Sequence, residues 1–254
     1  MFPYKDENPT VLTPFVTVGI IVFTTAVWIL GQGAGTYPTL AESVCRLGVV
    51  PAELTGRLRE TVALPLGPGL SCEVGPNPAW YTLVTSVFAH GGWFHLIGNM
   101  WFLWVFGNNV EDSMGHTRFL IFYLLTGVLA ALAQVMVQPG STVPMVGASG
   151  AISGVMGGYL VLYPFVRIHM LVFFGFLVTT ITVPAYLMLL YWALIQFLSS
   201  LWSLGLGQEG GVAFMAHFGG FVAGAALIKL FAKPELVARH RYGRWVRRRY
   251  YGPW

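Results

Sequence analysis

Val146-Gly147-Ala148-Ser149-Gly150-Ala151-Ile152-Ser153-Gly154-Val155-Met156-Gly157-Gly158-Tyr159-Leu160-Val161-Leu162-Tyr163 is the stretch that decides the fold. It carries no charge and stops at Pro164, which cannot continue a helix. A helix crosses the hydrocarbon in about 20 residues, so an apolar block of this length reads as a transmembrane helix. Gly150, Gly154 and Gly158 recur every fourth residue, and Gly220 and Gly224 repeat that spacing farther along the chain. Small residues so spaced let two membrane helices approach backbone to backbone. The spacing therefore predicts a close pair of helices packed through Gly150, Gly154, Gly220 and Gly224, with Gly147 counted in the same packing set.

The rest of the chain agrees with lipid as its solvent. Of its 254 residues 56% are hydrophobic and only 9% are charged. A soluble domain carries roughly 25% charged residues, so this composition could not cover a water-facing surface. Apolar blocks fall at 11–30, 93–110, 119–137, 146–163 and 214–231. The stretch 170–204 is too long for one upright helix and short for two. Pro184 offers a break, so 170–182 is read as a loop or interfacial segment and 183–202 as the fifth span. The expected fold is all-α, a polytopic bundle of six transmembrane helices. Residues 1–10 form a short N-terminal segment, 11–231 the membrane domain with a long polar loop at 34–78, and 232–254 a basic tail. Lys5 stands beside Asp6 and Glu7, unlike a signal peptide, so the first block is read as a retained span.

Charge orients the bundle. Eight of the fourteen Lys and Arg residues lie between Lys229 and Arg249. The run 244–249 interleaves arginines with Trp245, as nucleic-acid binders do, but a basic tail just beyond an apolar helix reads as a cytoplasmic anchor. No nucleic-acid partner is expected. Six spans put Lys5, Arg118, Arg167 and the tail on one side, which the positive-inside rule makes the cytoplasm, with both termini there and the cell membrane as the host. Cys45 and Cys72 share the 34–78 loop; they pair if that loop meets an oxidising compartment, which sequence leaves open.

The unusual polar residues then fall at one depth. His95 and Asn99 lie near the start of the second span, Ser149 near the start of the fourth and His217 near the start of the sixth. Even-numbered spans all begin on the non-cytoplasmic side. Polar groups inside a membrane are costly and default to functional hypotheses when several can meet. A serine hydroxyl is a weak nucleophile until a neighbouring base takes its proton, and His217 is the base within reach. Singly, a serine in a Gly-rich span serves packing and a membrane histidine serves an ion pathway or a helix contact; together they indicate serine chemistry. None of the ten acidic residues lies inside a span, which predicts a Ser-His dyad rather than a triad. His95 and Asn99, four apart, share a helical face and can donate to a developing oxyanion beside the Ser149 N–H. Glu111 and Asp112 are expected to tie down a loop or cap the next helix, and His116, His169 and His240 to be solvated. There is no His-Glu-x-x-His zinc motif, and the only aspartates, Asp6 and Asp112, sit outside the spans, which sets aside metal-dependent and aspartyl protease chemistry.

These residues resemble the rhomboid intramembrane serine proteases. The likeness rests on His90-Gly-Gly-Trp-Phe-His95-Leu-Ile-Gly-Asn99, on Gly147-Ala-Ser149-Gly150 and on Ala216-His217-Phe-Gly-Gly-Phe-Val-Ala-Gly224. It extends through 106–115, the loop after the second span. The resemblance implies a six-helix core that cleaves single-span membrane proteins in the bilayer near the extracytoplasmic face, through an acyl-enzyme and without a cofactor. It assigns the nucleophile to Ser149, the base to His217 and oxyanion support to His95 and Asn99, and gives His90 a structural role. Some members stack a tyrosine on the base one turn after the serine; here that position is Ser153. The competing readings are an inactive relative that binds or escorts membrane proteins, and a transporter. A transporter would need midplane acids, broken helices or an inverted repeat.

Overall fold

The computed structural model describes residues 2–67, 69–174, 177–205 and 213–240. The arginine run at 244–249 and nearly all of the 205–211 loop lie outside them. Helices form over all six apolar blocks. Helix α1, Phe15–Ala26, continues as a π turn, Val27–Gly31. Three short helices follow, α2 (Thr39–Leu47), α3 (Pro51–Leu54) and α4 (Thr82–Thr85). The long ones are α5 (Trp93–Met114), α6 (His116–Val137), α7 (Ser149–Leu162), α8 (Ala185–Gly205) and α9 (Phe214–Phe231), and a last turn, α10, spans Pro234–Val237. Three of them, α6, α8 over Ala185–Ser203, and α9, are long and apolar enough to cross a membrane; Phe15–Gly31 and Ser149–Leu162 are shorter apolar helices.

Helix α7 is the axis of the bundle: every residue from Gly150 to Tyr159 is buried. It packs most closely on α9, and glycine is what permits this. A Cβ on Gly220 would strike the Gly150 carbonyl oxygen, one on Gly224 the Gly154 carbonyl, and one on Gly157 the Phe221 carbonyl. On its α6 side, a Cβ on Gly150 would stand 2.7 Å from that of Ala130. Backbone meets backbone along this whole seam. Gly147 differs from the other four, because it stands before the helix, not in it.

The expectation of an all-α chain is corrected. Residues assigned above to a loop form a hairpin, β4 (Arg167–Phe174) and β5 (Leu177–Pro184), and the N-terminal strand β1 (Phe2–Asp6) adds to its free edge in the order β1-β4-β5. Composition explains this: β5 reads Leu-Val-Thr-Thr-Ile-Thr-Val-Pro, β-branched at nearly every position. Ile168, Met170 and Val172 alternate inward, while Arg167 and Phe173 face out. Pro184 closes the strand, and α8 starts one residue later. A second hairpin, β2 (Val62–Gly67) with β3 (Leu70–Val74), lies in the 34–78 loop. There Cys45 and Cys72 are joined in a disulfide, which ties α2 to β3.

Glu111 and Asp112 also act elsewhere than expected. They sit in the last turn of α5, buried; Glu111 does meet the next helix, through His116 at the start of α6, but both carboxylates also bind the entry to α1. Glu111 accepts from the backbone N–H of Val16 at 2.9 Å, from that of Thr17 at 2.7 Å and from the Thr17 hydroxyl at 2.6 Å. Asp112 accepts from Val11 and Leu12 N–H at 2.5 and 2.9 Å. The first N–H groups of a helix have no intrahelical acceptor, and α1 has no side-chain cap of its own. A carboxylate at that positive end satisfies them. The three histidines expected in solvent are partnered: His116 Nδ1 lies 2.6 Å from Glu111, His169 Nε2 3.2 Å from Glu7, and buried His240 3.0 Å from Asp112.

Candidate active site

The chain approaches α7 in an extended run. Val49 and Met145 exchange backbone hydrogen bonds of 2.9 and 2.8 Å, and the Gly147 N–H donates to the Ser86 carbonyl at 2.9 Å. Gly147 has φ +132°, a conformation that side chains rarely adopt. The space its Cβ would take is occupied: His95 Nε2 lies 2.7 Å from that point and Ser149 Oγ 3.5 Å. The bare α-carbon of Gly147 thus leaves room for the His95 ring on the side of the serine. Two residues on, the helix begins with Ser149 itself.

That position matters electrostatically. The first-turn N–H groups of a helix lack intrahelical acceptors and carry the positive end of its dipole. Ser149 stands at this end, where the negative oxygen of a tetrahedral adduct would need donors.

His217 lies in the first turn of α9, and the glycine seam brings it across to α7. Its Nε2 is 2.7 Å from Ser149 Oγ. Its Nδ1 is 2.8 Å from Gln196 Oε1, a group supplied by α8. One turn earlier on α8, Trp192 lays its indole near the imidazole, with centroids 6.1 Å apart and planes inclined by 33°. Ser153 turns away, its hydroxyl donating to the Ser149 carbonyl at 2.5 Å. The N-terminal end of α9 is held by Gln134 of α6, whose Oε1 accepts from the Ala216 N–H at 3.2 Å.

His95 and Asn99 stand on one face of α5. Gly91 N–H donates to His95 Nδ1 at 3.3 Å, which leaves the proton on Nε2, the nitrogen beside Gly147. Asn99 is 8% exposed, and its Nδ2 is buried without a hydrogen-bond partner. A donor left unpaired in an apolar bundle is costly unless something else accepts from it. His90 is buried behind this pair, its ring centroid 5.0 Å from that of His95. Its backbone is gripped by Gln32, which accepts from the His90 N–H at 2.8 Å and donates to its carbonyl at 2.9 Å.

His95, Asn99, Ser149, Trp192, Gln196 and His217 open onto one cavity of about 810 Å³. The sequence-predicted residues Ser149, His217, His95 and Asn99 are therefore brought together. Gln196 and Trp192 escaped sequence reasoning. The signal for Gln196 was present, an uncharged polar residue inside an apolar span, the same signal that marks Asn99.

The Rhomboid domain profile matches residues 77–234. The chain is 47% identical to rhomboid-like protein 11, chloroplastic, of Arabidopsis thaliana over 77 residues, which are 30% of this chain and 27% of that protein. It is 40% identical to the rhomboid protease GluP of Bacillus subtilis over 81 residues, 32% of this chain and 15% of that protein. A longer match, 28% identical over 163 residues, links it to RHOMBOID-like protein 5 of Arabidopsis thaliana, covering 64% of this chain and 46% of that protein. The chain thus spans less than half the length of these relatives. The profile takes in well over half of the chain, including Ser149, His217, His95, Asn99, Trp192 and Gln196, and the protein belongs to the rhomboid family of polytopic membrane proteins.

Proposed function

We propose that the chain is an intramembrane serine endopeptidase that cleaves single-span membrane proteins near the face on which α7 begins. The observation that carries this reading is the 2.7 Å hydrogen bond between Ser149 Oγ and His217 Nε2 in a cavity that Asn99, whose buried Nδ2 has no partner, also lines. Ser149 Oγ attacks the scissile carbonyl while His217 Nε2 takes its proton. The carbonyl oxygen, now negative, is met by the Ser149 N–H, His95 Nε2–H and Asn99 Nδ2–H. His217 then gives its proton to the departing amine, leaving an acyl-enzyme. Water attacks that ester with His217 again as base, and the acid product leaves with Ser149 restored.

The six helices over six apolar blocks support six crossings, with both termini on one side. The sheet end carries Lys5 and Arg167, and Arg118 donates to the Phe231 carbonyl at 3.0 Å at the same end, which the positive-inside rule makes cytoplasmic. The disulfide-linked loop packs at the opposite end, beside the entry to α7, and fits an oxidising compartment on the active-site side. In this reading the N-terminal ten residues and the tail from 232 flank a membrane domain at 11–231, and the host is the cell membrane.

The experiment is cleavage of a single-span test substrate by detergent-purified protein, comparing wild type with Ser149→Ala and His217→Ala. Cleavage abolished in both variants is the expected result. Equal cleavage by all three proteins overturns the dyad. A wild type that neither cleaves nor reacts with a serine-directed probe favours the inactive, escorting relative.

A further inference from the structure

We infer that Gln196, on α8, is the positioning residue for the base: it selects the His217 tautomer that can accept the Ser149 proton, so the dyad is assembled only while α8 is seated against α9. This rests on the catalytic reading above and adds a positioning element to it.

Both ring nitrogens of His217 are engaged, on opposite sides. Nε2 faces Ser149 Oγ at 2.7 Å and Nδ1 faces Gln196 Oε1 at 2.8 Å. A neutral imidazole has one N–H donor and one lone pair. With Nδ1–H donating to the amide oxygen, the Nε2 lone pair points at the serine hydroxyl, which is what a general base requires. In the opposite tautomer two lone pairs would oppose each other at Nδ1, and Nε2–H could only donate to the serine oxygen, leaving no lone pair to take its proton. The partner of the second nitrogen therefore decides the function of the first.

An amide suits this place better than an acid. Soluble serine proteases use a buried carboxylate for the task, but a charge held within the bilayer is costly. Glutamine supplies the acceptor without that charge. It also stands in for what α7 lacks, because Ser153 offers no ring and its hydroxyl is bound to the Ser149 carbonyl. Trp192, four residues before Gln196 and so on the same face of α8, covers the imidazole and packs on Phe221 of α9 with centroids 6.0 Å apart. One face of one helix thus sets both the tautomer and the plane of the base. The opposite face of α8 is exposed along Leu187, Leu190, Leu194 and Leu198.

The test uses Gln196→Leu and Gln196→Glu in the full chain, in detergent and in vesicles. Gln196→Leu should lower kcat by about 100-fold with KM little changed, the low end of what general-base catalysis contributes. Gln196→Glu should recover much of kcat near neutral pH, where the carboxylate accepts from Nδ1–H. It should also move the acid limb of the pH profile upward, since a negative neighbour raises the basicity of the imidazole. A readout independent of turnover is nitrogen NMR of the labelled His217 ring, identified by its loss in His217→Ala. Wild type should show the Nδ1–H tautomer, and Gln196→Leu a mixture. An unchanged tautomer in Gln196→Leu, or wild-type kcat with a wild-type pH profile in both variants, overturns the proposal. Failure of the catalytic reading looks different, because the NMR result stands even when no substrate is cleaved.

Discussion

At the scale of single residues, the site follows from what a bilayer charges for polarity. Ser149, His217, His95 and Asn99 stood out in the sequence because each is polar in an apolar block, and the span count carried them to one depth. What spacing could not provide was direction. Nothing in the order of residues says that Gln196 of α8, and not another polar side chain, meets Nδ1 of His217, nor that an indole replaces the absent tyrosine; both depend on how far α8 rotates against α9. Nor did it show that Gly147 matters through its φ of +132° and through His95, not through helix packing. Asn99 offers the sharpest residue-scale prediction. Its buried, unpartnered Nδ2 is expected to donate only when the oxyanion forms, so Asn99→Ala should reduce kcat by about 100-fold, roughly 3 kcal/mol, with KM nearly unchanged. Steady-state kinetics on a test substrate checks this; a rise in KM alone would assign Asn99 to substrate binding.

At the scale of elements, the glycine repeat proved the most informative pattern in the chain. It dictated which two helices touch, and the contact is tight enough that a single methyl at Gly224 would meet the Gly154 carbonyl. Gly224→Val should therefore prise α9 from α7 and remove His217 from Ser149. The expected outcome is loss of cleavage together with a fall in thermal stability in detergent, whereas Gly19→Ala, inside α1 where a Cβ meets nothing within 4 Å, should keep cleavage and not lower stability. A Gly224→Val protein that melts like wild type would contradict the backbone contact. The sheet was harder to foresee. Its hairpin is as apolar as a span, and hydropathy alone does not separate a strand from a helix in such a run; the β-branched density of β5 was the available cue. The partner strand β1 lies at the far end of the chain, and long-range pairing leaves no local trace. Likewise Glu111 caps α1 across 94 residues, a contact that sequence spacing cannot express.

At the scale of the whole molecule, the two ends of the bundle carry different chemistry. One holds the disulfide and the mouth of the active site, the other the sheet and a buried polar cluster around Asp6. Tyr159 and Asn109 donate to the Asp6 carboxyl at 2.5 and 2.8 Å, and His240 stands nearby. Burial nonetheless dominates and pushes the Asp6 carboxyl up to about 6. A carboxyl raised on folding favours the folded state when protonated. Its contribution is therefore full below the unfolded value and is lost as pH rises through about 6. The loss is on the order of 2–3 kcal/mol. Asp6→Asn keeps an acceptor for Tyr159 and removes the titration, so its melting temperature should be flat across that window where wild type declines. Parallel curves for the two proteins would remove Asp6 from the account.

The central claim, that Ser149 is a nucleophile armed by His217, is tested most directly by the bond it would form. The measurement is intact-protein and peptide mass spectrometry after reaction of the detergent-purified full chain with a fluorophosphonate. A single phosphonyl adduct on Ser149, absent from His217→Ala, is the result the geometry predicts. An adduct on another residue, or equal labelling of Ser149 in His217→Ala, would contradict it.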